Sequence, residues 1–454
     1  MSTYSDAFAD AGSLARSAGS PTRPAGVGPV TVTRVELAKL TAQLPLRIAL
    51  GVCVVAPIAV AVLMHLVAVR PADTLFGRWA GTTGFATSLL ELNWVATYGV
   101  ALLAGLAAGD MFASEDRHGT WKSILTRSAT RNQLFVGKAV AATLFVWAGF
   151  VLLGAASIVA SLAIVGHDAP LGLSGQEIAS GRAVGLVVAS WALSLLPTTA
   201  FVALGLLFSI VSRNTMVGML GPLLVALVMQ LLDTAASGQI VRSLLLSTPF
   251  SAWHALFTDP IHTETLTWAV LISLAYIVVF GGAAWLGFRG REFAGADAVP
   301  ASLRRTTIRV GGTILALTAV LAGLASVGPT ALSAGRLEES ITTTFGNLTE
   351  VRYHWQTGQA ADSATPWKAT CNRGQIRQLE SGGSGPGDDW ACTIIDTRPE
   401  DGLAPTVLDV SLKANGCFTA QASPGAVGPL YVNDEDGEKF INPMYAFDGC
   451  LGSP

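Results

Sequence analysis

Gly137-Lys138 is the only Gly-Lys pair in the chain, so it is the one candidate for a phosphate-binding loop of the Walker A type. Such a loop needs a glycine five positions before the second glycine, and a Ser or Thr directly after the lysine to hold Mg²⁺. Asn132 and Ala139 occupy those two positions. We therefore predict that this chain binds no nucleotide and no other cofactor of its own.

Other catalytic patterns are also missing from the sequence. It has no H-E-x-x-H and no G-x-S-x-G, and no pair of aspartates lies inside an apolar segment. His254, Asp259, His262 and Glu264 form one acidic and imidazole group, but the two histidines are eight residues apart with Pro260 between them. That spacing does not by itself build a metal site, and an ordinary loop is the alternative. We predict no catalytic residue and no metal ligand.

Four of the five cysteines lie in the last quarter of the chain: Cys371, Cys392, Cys417 and Cys450. Disulfides form in oxidising compartments, which predicts an extracellular location for this region. Four cysteines allow three pairings. The shortest loops favour Cys371–Cys392 and Cys417–Cys450, although sequence alone does not choose. Zinc binding is a poor alternative, because there is no C-x-x-C. Cys53 lies in an apolar segment and is expected to pack there.

The composition of the 454 residues indicates a membrane protein. Only 13% of the residues are charged and 51% are hydrophobic, whereas soluble domains carry about 25% charged residues. Residues 1–330 hold 20 basic and 15 acidic side chains, and residues 331–454 hold 8 and 16. This difference indicates two bodies in two environments. Nucleic-acid binding is not expected, because no basic stripe interleaved with aromatic residues is present.

Seven segments without any Asp, Glu, Lys or Arg predict transmembrane helices, since about 20 apolar residues cross a bilayer. They are residues 48–69, 92–109, 139–165, 183–211, 215–232, 266–288 and 310–329. The alternative, buried helices of a large soluble core, predicts shorter helices with a polar face. We therefore predict an all-α polytopic membrane bundle of about seven transmembrane helices, followed by a small α+β disulfide-containing extracellular domain.

The short loops between these segments predict the orientation. Placing the N-terminus and alternate loops in the cytoplasm puts 16 Lys and Arg residues inside and 4 outside. The positive-inside rule favours that arrangement. Seven crossings then leave the C-terminal domain outside a plasma membrane.

The most informative cytoplasmic loop joins the second and third spans, at residues 110–137. Acidic residues come early in it and basic residues late. Trp121, Ile124 and Leu125 have the spacing of one helical face. Gly119 can end a helix that carries Glu115, and Thr120 can cap the next one. An apolar face exposed to the cytosol would dock on another protein; the alternative is a solvated loop whose charges only follow the positive-inside rule.

This loop resembles that of ABC-2 type permeases, the membrane subunits of ATP-binding cassette exporters. The pattern is a Glu, then Gly-Thr-Trp-Lys, a Leu, an Arg, and Gly-Lys at the start of a span. The matching positions are Glu115, Gly119, Thr120, Trp121, Lys122, Leu125, Arg131, Gly137 and Lys138. The resemblance covers roughly residues 34–290. The seventh span and the external domain depart from the six-span layout of the family.

The resemblance implies that a separate ATPase subunit, present in two copies and binding ATP and Mg²⁺, grips residues 110–137. It also implies a second permease subunit, as a homodimer or a heterodimer. Gly105-x-x-x-Gly109 would allow another helix to approach closely, either in that second subunit or within the same chain. On this view residues 115–125 form the coupling helix, and the chain itself is not an enzyme.

Two other functions compete with this one. An ion-coupled secondary transporter usually places Asp, Glu or His near the membrane midplane. His65 is the only such residue inside a span, while Glu91, Asp110 and Asp233 are expected at span ends in contact with water. The other alternative is a polytopic anchor for an extracellular binding or sensing domain.

The remaining segments complete the predicted domain organisation. Residues 1–33 form a disordered cytoplasmic tail, residues 34–290 the six-span domain with an interfacial helix at 35–44, and residues 291–309 a basic cytoplasmic loop. The seventh span occupies 310–330 and the extracellular domain 331–454. In that domain Leu337, Ile341, Phe345 and Leu348 share a helical face. Alternating apolar residues around 390–394, 408–412 and 418–420 predict strands.

Overall fold

The computed structural model consists of a helical bundle followed by a domain containing a β-sheet. It describes residues 28–67, 74–121, 124, 130–235, 244–291, 311–313, 315–321, 323, 332–359, 367–374, 382–397, 405–413, 415–423, 425–433, 437 and 439–451. Residues 1–27 of the predicted tail at 1–33, most of the basic loop 291–309, and residues Lys122 and Leu125 lie outside these ranges. Residues 29–33 of that tail are helical and not disordered, as they form the first turns of a helix that starts at Pro29.

The bundle contains ten α-helices within the described residues. They are α1 (Pro29–Ala42), α2 (Leu44–Leu66), α3 (Gly84–Trp94), α4 (Val100–Ala104), α5 (Ala113–His118), α6 (Arg131–Ile164), α7 (Ser180–Leu193), α8 (Leu195–Ser212), α9 (Thr215–Ala235) and α10 (Thr263–Arg289). A 3₁₀ helix covers Thr248–Phe257, and π-helical turns cover Val95–Gly99 and Gly105–Gly109.

Five helices among the described residues are long and apolar enough to cross a membrane. They are Leu44–Leu66, Arg131–Ile164, Ser180–Ser212, Thr215–Asp233 and Thr263–Arg289. Each overlaps one of the predicted spans. The predicted seventh span is described only at 311–313, 315–321 and 323, all of which are helical. Whether that segment crosses a membrane stays a prediction.

Two predicted spans are less regular than expected. The second is a continuous helical run from Gly84 to Gly109 that alternates between α and π turns. The fourth has a break at Ser194, between α7 and α8. Pro197 explains this break, because it has no N–H to donate to the carbonyl of Leu193 four residues earlier.

Glycines allow the second span to contact α9 at backbone distance. A methyl group added at Gly105 would overlap the carbonyl of Met219, and one added at Gly109 would overlap the backbone of Gly218. The Gly105-x-x-x-Gly109 face is therefore used for packing within this chain, which was one of the two expectations for it.

The helix before the first span differs from the prediction in its start and in its buried face. It begins at Pro29 and ends before Gln43, whose extended backbone separates it from α2, with Pro45 in the first turn of α2. Val32, Glu36 and Leu40 are buried, while Leu44 is exposed. The face that packs on the bundle thus includes a carboxylate, which the apolar spacing of leucines does not reveal.

The C-terminal domain consists of one long helix, α11 (Ala334–Thr357), and two sheets. The larger sheet is antiparallel in the order β1-β2-β3-β4-β7, and β5 pairs with β6. The strands are β1 (Trp367–Arg373), β2 (Gly387–Asp396), β3 (Thr406–Leu412), β4 (Cys417–Ala422), β5 (Tyr431–Asn433), β6 (Lys439–Ile441) and β7 (Ala446–Cys450).

The predicted core of this domain is confirmed. The helical face of Leu337, Ile341, Phe345 and Leu348 is buried, and its exposed fractions are 0%, 0%, 1% and 2%. The alternating residues of β2, β3 and β4 are buried with it in one apolar cluster. Disulfides join Cys371 to Cys392 and Cys417 to Cys450, and each links directly opposed residues of neighbouring strands. Cys53 is free and buried.

The domain packs on loops at one end of the bundle. The Asn347 side chain donates to the carbonyl of Ser174 at 2.7 Å, and the Phe76 amide donates to Asp448 Oδ2 at 2.8 Å. All these bundle residues lie in loops predicted to be extracellular. The 110–121 loop starts from the opposite end of the Gly84–Gly109 run, so the bundle separates the two regions.

Candidate functional site

The loop that follows the second span begins with a short helix held against α8. Ser209 Oγ, on α8, accepts hydrogen bonds from the amides of Phe112 and Ala113, each at 3.0 Å. These are first-turn amides, which have no partner inside their own helix. Helix α5 ends at Gly119, whose φ of 64° is in the left-handed region that favours glycine. The predicted helix break at Gly119 is therefore confirmed.

Lys138 is the most buried charged side chain of this region. It is 1% exposed, and its Nζ lies 3.1 Å from Glu36 Oε2 and 3.3 Å from Glu115 Oε1. Nζ also donates to the carbonyl of Met111 at 3.2 Å. One ammonium group thus joins α1, α5 and the start of α6. A buried lysine requires such partners, because an unpaired charge is very costly to bury.

Glu115 receives two lysines and a hydroxyl. Lys39 Nζ lies 3.2 Å from the same Oε1 that faces Lys138, and Thr120 Oγ1 donates to Oε2. Burial alone would raise the pKa of Glu115, but attraction by Lys138 and Lys39 and the hydrogen bond from Thr120 outweigh it. The pKa of this carboxyl therefore lies below its ordinary value. Thr120 precedes the helical residues Trp121 and Ile124, and its carbonyl accepts from the Ile124 amide at 3.1 Å, which is the position of the predicted cap. Its side chain donates to Glu115.

Trp121 points into the chain's own interior. Its side chain is 5% exposed, and its ring lies 6.1 Å from that of Phe112 and 5.3 Å from that of Phe288, between ring centroids. Its Nε1 donates to Asp116 Oδ1 at 2.8 Å. The apolar face expected to be free for another protein is therefore already covered at Trp121. The side chain positions the loop and does not offer a docking surface.

Arg291 fixes the same loop to the end of α10. It is 4% exposed, its Nη1 lies 2.8 Å from Asp116 Oδ2, and its Nη2 donates to the carbonyl of Ile210. Arg131 Nη1 donates to the carbonyls of Arg289 and Arg291, at 2.9 and 3.1 Å. Cations are favourable at the C-terminus of a helix, where carbonyls lack partners. Arg131 therefore joins the first turn of α6 to the last turn of α10.

Gly137 has a packing role beside Lys138. A Cβ at this position would lie 2.5 Å from Val32 Cγ1 on α1, and the Gly137 carbonyl accepts from Thr33 Oγ1 at 3.2 Å. The Gly-Lys pair thus lets α1 approach α6 closely enough for Glu36 to reach Lys138. The Lys138 ammonium group is occupied by two carboxylates of the same chain.

The structure brings together seven of the nine residues that the resemblance singles out. Lys122 and Leu125 are outside the described residues. Sequence reasoning missed four residues that complete the network: Glu36, Lys39, Asp116 and Arg291. All four are charged residues in the segments predicted to be cytoplasmic, and their charge in those short segments is the signal that could have identified them. Among the described residues of the loop, Arg117, His118 and Gly119 form the exposed turn that follows α5, called the exposed tip below.

One expectation about the remaining acidic residues is wrong. Glu91 was expected to meet water at a span end, but it is 3% exposed inside the bundle. Both of its carboxyl oxygens are buried and make no ion pair among the described residues, and Ser157 is the side chain that interacts with them. The reason is that the second span starts at Gly84, which places Glu91 two turns inside the helix. Asp233 lines a cavity at the other end of the bundle.

The histidine group does not form a metal site in the described part of the chain. His254 is 5% exposed, and its ring centroid lies 3.9 Å from that of Trp253. No group of three or more His, Cys, Asp or Glu side chains that could hold a metal ion occurs among the described residues.

Comparison with known proteins gives one family. Residues 29–293, more than half of the chain, match the family described as ABC-2 family transporter protein. No curated protein matches the sequence. The matched region contains the five apolar helices and the whole network around Lys138. The chain belongs to the ABC-2 transporter family and is a multi-pass membrane protein.

Proposed function

We propose that this chain is the permease subunit of an exporter, driven by ATP that a separate ATPase subunit hydrolyses. Two ATPase copies and a second permease would complete the assembly in the plasma membrane. The cytoplasmic end would be the one that carries the Lys138 network, as the positive-inside rule favours. The observation that carries the proposal is the buried contact of Lys138 with both Glu36 and Glu115.

That contact supports transmission of force. A loop that only obeyed the positive-inside rule would need no buried ions, whereas α5 is tied by charge to α1 and α6 and by Asp116–Arg291 to α10. Force applied at the exposed tip, Arg117 to Gly119, would move these helices together. The partner would contact the tip, while Trp121 and Lys138 would position it.

Co-purification from native membranes tests the proposal. Arg117→Glu reverses the charge at the exposed tip and should reduce the amount of a Walker-motif ATPase, identified by mass spectrometry, several-fold. Trp121→Asp should reduce it as well, because the buried ring holds α5 in place. Arg182→Glu, an exposed change at the opposite end in α7, is the matched control and should have no effect. Undiminished ATPase recovery and export with both loop variants would contradict the proposal.

The burial of Glu91 gives one observation in favour of an ion-coupled secondary transporter. An unpaired carboxyl inside a bundle is a usual feature of proton-coupled carriers. Export from vesicles that stops with a protonophore but continues without ATP, and that Glu91→Gln abolishes, would favour this second function. Export that needs ATP, and that continues both with the protonophore and in the Glu91→Gln variant, would favour the permease.

A further inference from the structure

A cavity lies between the bundle and the C-terminal domain. Its volume is about 320 Å³, which is at the small end of the range for small-molecule sites, about 300–1,000 Å³. Side chains from α8, α9 and the 3₁₀ helix form its floor, and residues between β3 and β4 form its roof. Neither body encloses this space alone.

The roof is held in place by contacts beside the cavity. Asn415 Nδ2 lies 3.2 Å from His254 Nδ1, and Asn415 Oδ1 accepts from the Cys417 amide at 3.1 Å. Burial lowers the pKa of His254 to about 3, so its ring is neutral at physiological pH and adds no charge to the cavity. Further from the cavity, Phe76 and Asp448 join the same two bodies.

Among the described residues, two charged side chains line the cavity, and they come from opposite sides. Asp233 lies in the floor, at the end of α9, and Lys413 lies in the roof. Lys413 also faces Asp388 at 3.7 Å, in a pair that is exposed on both sides. Such a pair contributes little, so it does not hold the ammonium away from a ligand. Leu75, Phe201 and Phe250 supply an apolar wall.

We propose that this cavity binds a small zwitterion with an apolar side group, its cationic end at Asp233 and its anionic end at Lys413. Because such a ligand contacts both bodies, binding would stabilise their docked arrangement. One part of the inference rests on the proposed function, namely that the ligand is the exported cargo, held at the exit of the permease. The binding itself does not depend on the ATPase.

The test uses the purified full-length chain in nanodiscs and the dipeptide Ala-Phe as the probe. We expect saturable binding by calorimetry, weakened about tenfold or more when the amine is acetylated or the carboxylate is amidated, since each change removes a charge-assisted hydrogen bond. Asp233→Asn should abolish the discrimination against the acetylated form, and Lys413→Gln that against the amidated form. Lys368→Gln and Asp409→Asn, exposed changes on β1 and β3, are the matched controls.

The charge variants could also bind poorly because the substitution displaces the C-terminal domain from the bundle. A second measurement therefore follows the cavity directly. Ser251→Cys places a thiol in the cavity wall, and the dipeptide should slow its labelling by a water-soluble maleimide. The inference would be overturned if the unchanged protein showed no saturable binding. It would also be overturned if the blocked dipeptides bound as tightly as Ala-Phe and both charge variants bound Ala-Phe as tightly as the unchanged protein. ATPase co-purification would be unaffected by that result, so it would leave the proposed function standing.

Discussion

Lys138 and Glu115 form an ion pair in which Nζ and Oε1 are 3.3 Å apart and the lysine side chain is 1% exposed. The two residues belong to α6 and α5. Glu36 on α1 forms an ion pair with the same ammonium group, so Lys138 also connects α1 to these two helices. This arrangement places a charged junction between the 110–121 loop and two helices of the bundle.

Lys138→Met should strongly destabilise the protein. It leaves Glu36 and Glu115 with the half-exposed Lys39 as the remaining cation beside them. Breaking a buried ion pair in this way costs about 3–5 kcal/mol. Lys39→Met is the matched control, because the Lys39 side chain is 48% exposed and its pairs are worth about 0–1 kcal/mol. Thermal unfolding in detergent measures both variants. Equal melting temperatures for the two would show that the junction contributes nothing.

Arg291→Met should release the loop from α10. The buried guanidinium pairs with Asp116 and bonds the Ile210 carbonyl, so its loss leaves both groups without this partner. We expect a loss of about 2–4 kcal/mol and faster proteolysis after Arg117. Arg289→Met, two residues away and exposed, is the control. Identical cleavage rates for the two variants would be evidence against the anchor.

Gly218→Ala should disturb the contact between α9 and the second span. A methyl group there overlaps the Gly109 carbonyl, and overpacking costs about 1–3 kcal/mol. Gly281→Ala in α10, where the methyl group meets no atom within 4 Å, should leave the melting temperature unchanged or raise it. A drop that is equal in both variants would contradict the close approach.

The interface between the C-terminal domain and the bundle should depend on pH through Asp448. Burial raises the pKa of this carboxyl to about 6, although Arg78 and the Phe76 amide partly oppose the shift. A raised pKa means that the docked state binds the proton more tightly. Docking is therefore most stable below about pH 4 and weakens as pH rises from about 4 to 6.

Asp448→Asn should remove that dependence and stabilise docking at pH 7. The amide keeps an acceptor for the Phe76 N–H without a buried charge. Hydrogen exchange of the 74–83 loop between pH 4 and pH 7 measures the effect, and Asp409→Asn on β3, exposed, is the control. A steeper pH dependence in Asp448→Asn than in the unchanged protein would refute the assignment.

Local patterns predicted much of this fold because their causes are local. Uncharged runs of about 20 residues identified the apolar helices, and the spacing of Leu337, Ile341, Phe345 and Leu348 identified the buried face of α11. The two disulfides are those that close the shortest loops, as the sequence favoured. Gly119 ended its helix as expected, since glycine accepts the left-handed conformation at little cost.

The contacts that make the site could not be predicted in the same way. Asp116 and Arg291 are 175 positions apart, and nothing local to either residue indicates the other. Trp121 has the spacing of a surface-docking residue, but tertiary packing against Phe288 decides that it is buried. Glu91 was misplaced because the second helix begins eight residues before the uncharged segment, at Gly84.

A separate ATPase would move this permease through the 110–121 loop. Photo-crosslinking in living cells tests this contact, with a photoreactive amino acid at Arg117 and, as the control, at Lys368 on β1. We expect an adduct between position 117 and a Walker-motif ATPase, and none from position 368. Adducts with that ATPase from position 368 only, or from neither position, would show that the ATPase does not act through this loop.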